Sequence, residues 1–351
     1  QTTFATESQM DVLAGEVGMD PLEFRRINAM KPGVQTATGQ RLTHSVGILK
    51  TLNVLQPAYA GAVSWKEEGR PGHIKRGIGI GSMWYGIGSM SVKNPAHATI
   101  RVDERARIRL CSGAADIGQG CTTIFCQITR EILGVEPGFI RIISADTRHT
   151  LDAGPTSASR QTYISGNAVL DASRKMAADL LSEAALHLKR PKDELSLKES
   201  CIVDTRGKRL MLLTELVQRM VETRGPLHWE GYFDPATTEL DPETGQGIPF
   251  ATYTFSSHLA MVEVNTETGT VQVVKVVAAQ DVGKAINPQG VIGQIQGGVG
   301  MGLGFALMEK FQPGKTLSMS EYYIPTSLDM PQIQCIIVED PEPTGPLSLI
   351  H

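Results

Sequence analysis

Three short segments of this chain gather residue types that bind rather than merely pack. Gly118-Gln119-Gly120, followed by Cys121, opens a helical pattern. Two glycines let a ligand approach the backbone, and a helix start offers unpaired N–H groups at the positive end of its dipole. Gln119 adds an amide that donates and accepts at once. The triplet alone reads equally as a tight turn or as an anion site. The second segment, Gly154-Pro155-Thr156-Ser157-Ala158-Ser159-Arg160-Gln161, crowds hydroxyls, a small residue and a cation at the start of another helix. It reads as a phosphate cradle or as a plain N-cap by Ser157 or Ser159 beside a solvated Arg160. In the third, Asn287 and Pro288 supply an N-cap and a first-turn proline. The glycines at 293, 297, 298, 302 and 304 make one side of that helix slim enough for another backbone or a cofactor. Gln294 and Gln296, set in an apolar run, are expected to need buried partners.

Composition excludes several classes. A net charge of −4 gives no basic footprint for nucleic acid. The five cysteines are scattered without a C-x-x-C, so no zinc or iron–sulfur spacing is visible, and the eight histidines are dispersed. No phosphate-binding P-loop, dinucleotide fingerprint, nucleophile elbow or H-E-x-x-H is present. No leader pattern precedes Gln1, which makes the cytoplasm the expected location. The uncharged stretch 290–307 approaches the length of a membrane span. Its glycines disfavour an isolated helix, and a close-packed interior helix is expected instead.

The elements that must position these segments follow from periodicity. Two short helices are expected in the first thirty residues, the second capped by Asp20 before Pro21. Apolar alternation at Ala98, Ile100 and Val102, then Ile108 and Leu110, predicts a hairpin. Ile124, Phe125, Ile128 and Ile132 mark a helix, 139–145 a strand and 159–189 a long helix. Residues 190–255 read as a short helix followed by a long loop. A second hairpin over 259–279 leads to the glycine-rich helix, so one plan (hairpin, glycine-bearing loop, helix) occurs at 98–133 and again at 259–310. The expected architecture is α+β and two-lobed: residues 1–50 as the tail of a first lobe, 51–75 as a connector, and 76–351 as a second lobe with subdomains at about 76–190 and 191–351.

Several segments then resemble one family in content and order. They are Ala115-Asp116-Ile117-Gly118-Gln119-Gly120, Ser159-Arg160-Gln161 with Ser165-Gly166-Asn167-Ala168, and Asp281-Val282-Gly283-Lys284-Ala285-Ile286-Asn287-Pro288, with Phe4-Ala5-Thr6-Glu7 and Asp20 to Arg25 upstream. The chain resembles the molybdopterin-binding catalytic subunits of molybdenum hydroxylases, the group of xanthine dehydrogenase, aldehyde oxidoreductase and nicotinate dehydrogenase. The resemblance implies a molybdenum held by the dithiolene of a molybdopterin and by no protein side chain. It places Gly118, Gln119, Gly120 and Cys121 on the pterin and its phosphate, and wraps Thr156, Ala158, Ser159, Arg160 and Gln161 around the cofactor. Ala158 would lie nearest metal and substrate, and Gln294 would reach the cofactor from the glycine-rich helix. The Arg160-Gln161 pair resembles members that use the cytosine dinucleotide form.

The implied reaction is hydroxylation of an N-heterocycle or aldehyde with oxygen from water, and electrons leaving through 2Fe-2S clusters and FAD on partner chains. Two departures qualify this. The family's Arg-Gly-Phe-Gly segment does not precede Gln1. After Pro343-Thr344-Gly345-Pro346 the chain reads Leu347-Ser348-Leu349-Ile350-His351, where the family continues to a catalytic glutamate. Glu339, Asp340 and Glu342 do not match that position, so no catalytic residue is assigned and activity is expected only with the rest of the subunit or with partner chains. The alternative expectation is a non-catalytic, cofactor-binding or scaffolding fragment of a larger complex.

Overall fold

The computed structural model describes residues 1–90 and 93–347. In chain order the first elements are helices α1 (Thr2–Glu16), α2 (Pro21–Asn28) and α3 (Ile48–Glu68), then strands β1 (Ile74–Gly86), β2 (Ala96–Val102) and β3 (Ile108–Ser112). Helix α4 (Cys121–Leu133), β4 (Arg141–Ser144), a π-helical turn Gln161–Ser165 and α5 (Gly166–Leu188) follow. The chain continues through β5 (Leu195–Lys198), β6 (Cys201–Asp204), β7 (Arg209–Leu212), α6 (Leu213–Arg224) and β8 (Leu227–Phe233). It ends with β9 (Tyr253–Asn265), β10 (Val271–Asp281), α7 (Pro288–Leu307) and β11 (Gln332–Val338).

These elements form two compact units, one of Gln1–Thr36, Arg41–Tyr85 and Tyr253–Glu342, the other of Ala37–Gln40, Gly86–Thr252 and the C-terminal residues from Pro343. The first is built on a sheet of order β1-β9-β10-β11. The second holds a sheet of order β4-β3-β2-β8 and a smaller one of order β5-β6-β7. The repeated plan is realised in both. β2 and β3 pair antiparallel and β3 pairs parallel with β4 across α4; β9 and β10 pair antiparallel and β10 pairs parallel with β11 across α7.

In the second unit the core lies between the larger sheet and α4 and α5. Ile100, Leu110, Phe125, Ile128, Leu133, Met176 and Leu180 are fully buried there. Each such side chain contributes roughly 1.5–3 kcal/mol when removed from water. Gly231 on β8 lets α5 approach closely, since a Cβ at that position would strike Ala168 O and Ala172 N.

Three expectations are corrected. Residues 51–75 are not a connector for most of their length: they belong largely to α3, which buries Ile48, Thr51, Leu52, Leu55 and Ala62. Pro57 and Gly61 inside it obscure its periodicity. The short helix expected around Leu213–Val221 is α6, but 190–212 ahead of it holds β5, β6 and β7, each only four residues and too short for alternation to show, and the long loop expected after it holds β8. Helix α7 is not an interior helix. Ile295 and Val299 pack on Val276 and Ala278, while Met301 and Phe305 are exposed. Only one face of α7 meets the sheet, and a Cβ at Gly293, Gly297, Gly298 or Gly302 would meet nothing within 4 Å among the described residues.

Candidate functional site

The loop between β3 and α4 is organised by Asp116. Its Oδ1 accepts hydrogen bonds from Gly118 N (3.0 Å) and Gly120 N (3.2 Å), and its Oδ2 from Thr122 N (3.3 Å) and Thr122 Oγ1 (3.0 Å). Desolvation works to raise the carboxyl's pKa, but these donors prevail and hold it below the usual carboxylate range. The Gly118 and Gly120 N–H groups, expected to receive an anion, are thus satisfied by a carboxylate of the chain itself, and the triplet is a built turn. Gly118 (φ 108°) and Gly120 (φ 82°) adopt left-handed backbone that favours glycine. Among the described residues a Cβ at either would meet nothing within 4 Å, so both Cα atoms face open space. Gln119 Oε1 accepts from Ile117 N (2.7 Å), and its Nε2 donates to Ala115 O (3.3 Å).

Ala115 O joins the first two segments. Thr156 Oγ1 donates to it at 2.7 Å, and Cys121 Sγ approaches it at 3.8 Å. Burial, with Asp116 nearby, pushes the Cys121 thiol up to about 11, so it stays protonated at neutral pH. Gln161 Nε2 donates to Thr156 Oγ1 (2.8 Å), but Gln161 Oε1 is buried without a hydrogen-bond partner among the described residues. An orphaned buried acceptor costs about 1–3 kcal/mol and is retained where something else satisfies it.

Arg160 is neither solvated nor free to grip a phosphate. It is 1% exposed, and its guanidinium spends every direction on the chain. Nε donates to Asn94 Oδ1 (2.8 Å), Nη1 to Ala153 O and Pro155 O, and Nη2 to Pro95 O (2.8 Å) and Asn94 O (3.2 Å). This corrects both readings of Arg160, as a direct ligand contact and as a surface cation: it clamps 94–95 to 153–155. Desolvation draws its pKa down, against Asp152 and Asp234 nearby.

The segment so clamped is strained. Ala158 (φ 53°) and Ser159 (φ 56°) are consecutive left-handed non-glycine residues, each costing about 1–2 kcal/mol. Ala158 is partly buried, and its carbonyl accepts from Gly88 N (2.8 Å). The expected helix start at 159 is displaced by the π-helical turn over Gln161–Ser165, which no side chain caps. Strained backbone and π-turns both concentrate at functional sites.

Sequence reasoning missed Asp116 as the loop's organiser, Asn94 as the clamp's acceptor and the anchoring of the 343–346 segment. Asn167 Nδ2 donates to Tyr163 O (2.8 Å) and Thr344 O (2.9 Å), and Tyr163 Oη lies 2.7 Å from Thr344 Oγ1. An Asp two residues before a glycine was the available signal for the first.

In the other unit, Gln294 and Gln296 are exposed on α7, against the expectation of buried partners. The Asp281–Pro288 segment is anchored by carboxylates. Asp281 is buried, accepts from Gly283 N (3.0 Å) and Asp340 N (3.2 Å), and lies 3.3 Å from Ser45 Oγ. Burial pushes its carboxyl up to about 6 despite those donors, and the Asp340 charge adds to the rise. Glu339 Oε1 accepts from Ala285 N (2.8 Å), and Glu342 Oε1 lies 3.3 Å from His44 Nδ1. Among the described residues no group of three or more His, Cys, Asp or Glu could hold a metal ion.

Residues 55–331 match the model of the molybdopterin cofactor-binding domain. The chain belongs to that family. It is 30% identical over 345 residues to a Bacillus subtilis protein named as a probable subunit of xanthine dehydrogenase, covering 97% of this chain and 45% of that one. It is 29% identical to the xanthine dehydrogenase molybdenum-binding subunit of Escherichia coli O157:H7, covering 98% of this chain and 46% of that one. The solved aldehyde oxidoreductase from Desulfovibrio gigas superposes with a TM-score of 0.84 at 27% identity, covering 99% of this chain and 36% of that one. The chain therefore spans less than half the length of these relatives, and its α+β architecture is theirs.

Proposed function

We propose that this chain is the molybdopterin-holding portion of the catalytic subunit of a molybdenum hydroxylase acting on an N-heterocycle or an aldehyde, with oxygen taken from water. The observation that carries this reading is the convergence of the 115–121 and 154–161 loops on Ala115 O, with an orphaned acceptor at Gln161 and two strained residues beside it. The residues fit a cofactor of this kind. Gln161 Oε1 calls for an N–H or O–H donor, which the amino and ring N–H groups of a pterin or pyrimidine supply, and the open faces of Gly118 and Gly120 let a flat ring approach the backbone. When bound, the cofactor would supply the metal and the two-electron redox chemistry.

The chain's own residues hold and orient. Gln161 binds the cofactor's polar edge and the open faces of Gly118 and Gly120 admit its ring, while Asp116 and Arg160 fix the two loops from behind. Ala158, small and held in a left-handed conformation, leaves room for a substrate ring. Gln294, exposed on α7, is kept among the cofactor's contacts by resemblance alone. The Arg160-Gln161 resemblance supports the cytosine dinucleotide form, now through Gln161 rather than the guanidinium. The names of the relatives as subunits support a heteromeric complex, in which 2Fe-2S and FAD chains carry electrons away. No observation favours the purely scaffolding alternative. Gln161→Leu in the full-length protein tests the reading, since it removes the orphaned acceptor and leaves the volume nearly unchanged. Cofactor content should fall several-fold with little change in melting temperature. Undiminished cofactor content would contradict the assignment.

A further inference from the structure

The larger sheet of the second unit carries a row of cations that the cofactor site does not use. β2 and β3 place Arg101 opposite Arg109, β3 and β4 place Arg109 beside Arg141, and β2 and β8 place Arg101 opposite His228. In the strand order β4-β3-β2-β8 one continuous row thus reads Arg141, Arg109, Arg101, His228. With strands about 4.8 Å apart, the three arginines span about 10 Å of backbone. The alternate positions, Ile142, Leu110, Ile100 and Trp229, and the neighbouring Gly231, look toward the helices; the arginines occupy the other face. Four residues further along that face, His97 and Tyr232 stack with ring centroids 5.0 Å apart, and Tyr232 is exposed.

Like charges directly opposite one another destabilise a sheet, and here compensation is thin. Asp103 Oδ2 lies 3.3 Å from Arg109 Nη2 but is shared with Arg107 at 2.7 Å. Glu230, on the same face, pairs with His97 at 3.1 Å. Among the described residues neither Arg101 nor Arg141 forms an ion pair, and Arg101 Nε is buried without an acceptor. Arginine at all three places matters, because the planar guanidinium is matched to carboxylates, and Arg and Tyr are enriched at the centres of protein interfaces.

We propose that this face receives an acidic surface of a partner chain, whose carboxylates complete the row. The inference rests on reading the chain as part of a multi-chain complex. The footprint covers four strands and includes an exposed tyrosine, which suits a protein surface better than a single small anion.

The test compares the full-length protein with its Arg109→Gln/Arg141→Gln variant, each purified as the native complex and sedimented at about 50 and about 500 mM NaCl. The variant should bind its companion chains about tenfold more weakly at the lower salt and show a flatter salt dependence, at a melting temperature no lower than the wild type's. Arg141→Gln alone, at an exposed position, should shift binding the same way and covers the case in which the double variant folds poorly. Companions retained by both variants would overturn the proposed face while leaving the multi-chain reading intact. A wild-type protein purified without companions would overturn that reading too. Inorganic tripolyphosphate bound by the wild type, lost in the variant and without effect on the complex would identify a small-anion site instead, which also overturns the proposal.

Discussion

Arg160→Met separates the two tasks that a cation in a cofactor loop can have. The substitution keeps an unbranched apolar stem and removes all five guanidinium contacts. Asn94 Oδ1 can turn away, but the carbonyls of Ala153, Pro155, Asn94 and Pro95 are fixed in the backbone. At about 1–3 kcal/mol for each stranded acceptor, with partial rehydration, the loss comes to about 3–5 kcal/mol. A unit of this size loses roughly 2–4 °C per kcal/mol, so its melting temperature should fall by about 6–20 °C. Arg160→Lys should lose an intermediate amount, because a compact ammonium cannot span the same acceptors. Gln119→Ala provides the contrast: it deletes two short-range contacts in an exposed loop, worth about 1 kcal/mol at most, while removing an amide beside the open face of Gly118. Thermal melts and pterin content on the same preparations give the comparison. Arg160→Met should be destabilised even in cofactor-free protein, and Gln119→Ala should melt normally and lose cofactor. An Arg160→Met protein that melts like the wild type but lacks cofactor would refute the clamp and restore the guanidinium as a ligand contact.

Three further substitutions probe the strained loop and the buried carboxyl. Ala158→Leu should abolish turnover with melting temperature and cofactor content nearly unchanged, whereas Ala158→Gly should raise stability by about 1 kcal/mol through release of left-handed strain; an unaffected kcat/KM in the Leu variant would remove Ala158 from the site. For Asp281, whose folded pKa of about 6 lies above the ordinary 3.8, the protonated form is the one the fold prefers. Its contribution is therefore full below about pH 4 and lost as pH rises through 6, leaving a penalty of up to about 3 kcal/mol at pH 8. Asp281→Asn should raise the melting temperature at pH 8 and lose that advantage by pH 4, and a difference independent of pH would contradict the raised pKa.

Much of the fold was legible because its signals are local. Asp20 caps α2 through Leu22 N and Glu23 N, and Asn287 caps α7 through Gly290 N. The hairpin of β2 and β3 pairs Ile100 with Leu110, as alternation requires. Phe125 and Ile128 bury the face of α4 that their spacing marks. What escaped depends on distant partners. Nothing near Arg160 in sequence shows that Asn94 and Pro95 will accept from it, so a buried clamp and a solvated cation look alike. The left-handed pair at 158–159 is invisible for the same reason, since Ala and Ser do not signal positive φ. Gln294 was assigned from resemblance alone, and periodicity gave no sign that α7 would bury only one face. The resemblance pointed to the loops, and the structure shows that Asp116 and Arg160 brace them.

The central claim, that these loops hold a molybdopterin, is tested most directly by metal and pterin analysis of the full-length protein purified from its source. Molybdenum and a pterin should be present near one equivalent each per chain, with a cytosine nucleotide released on acid hydrolysis. A fully folded protein that contains no pterin, or that holds stoichiometric zinc in its place, would contradict the account.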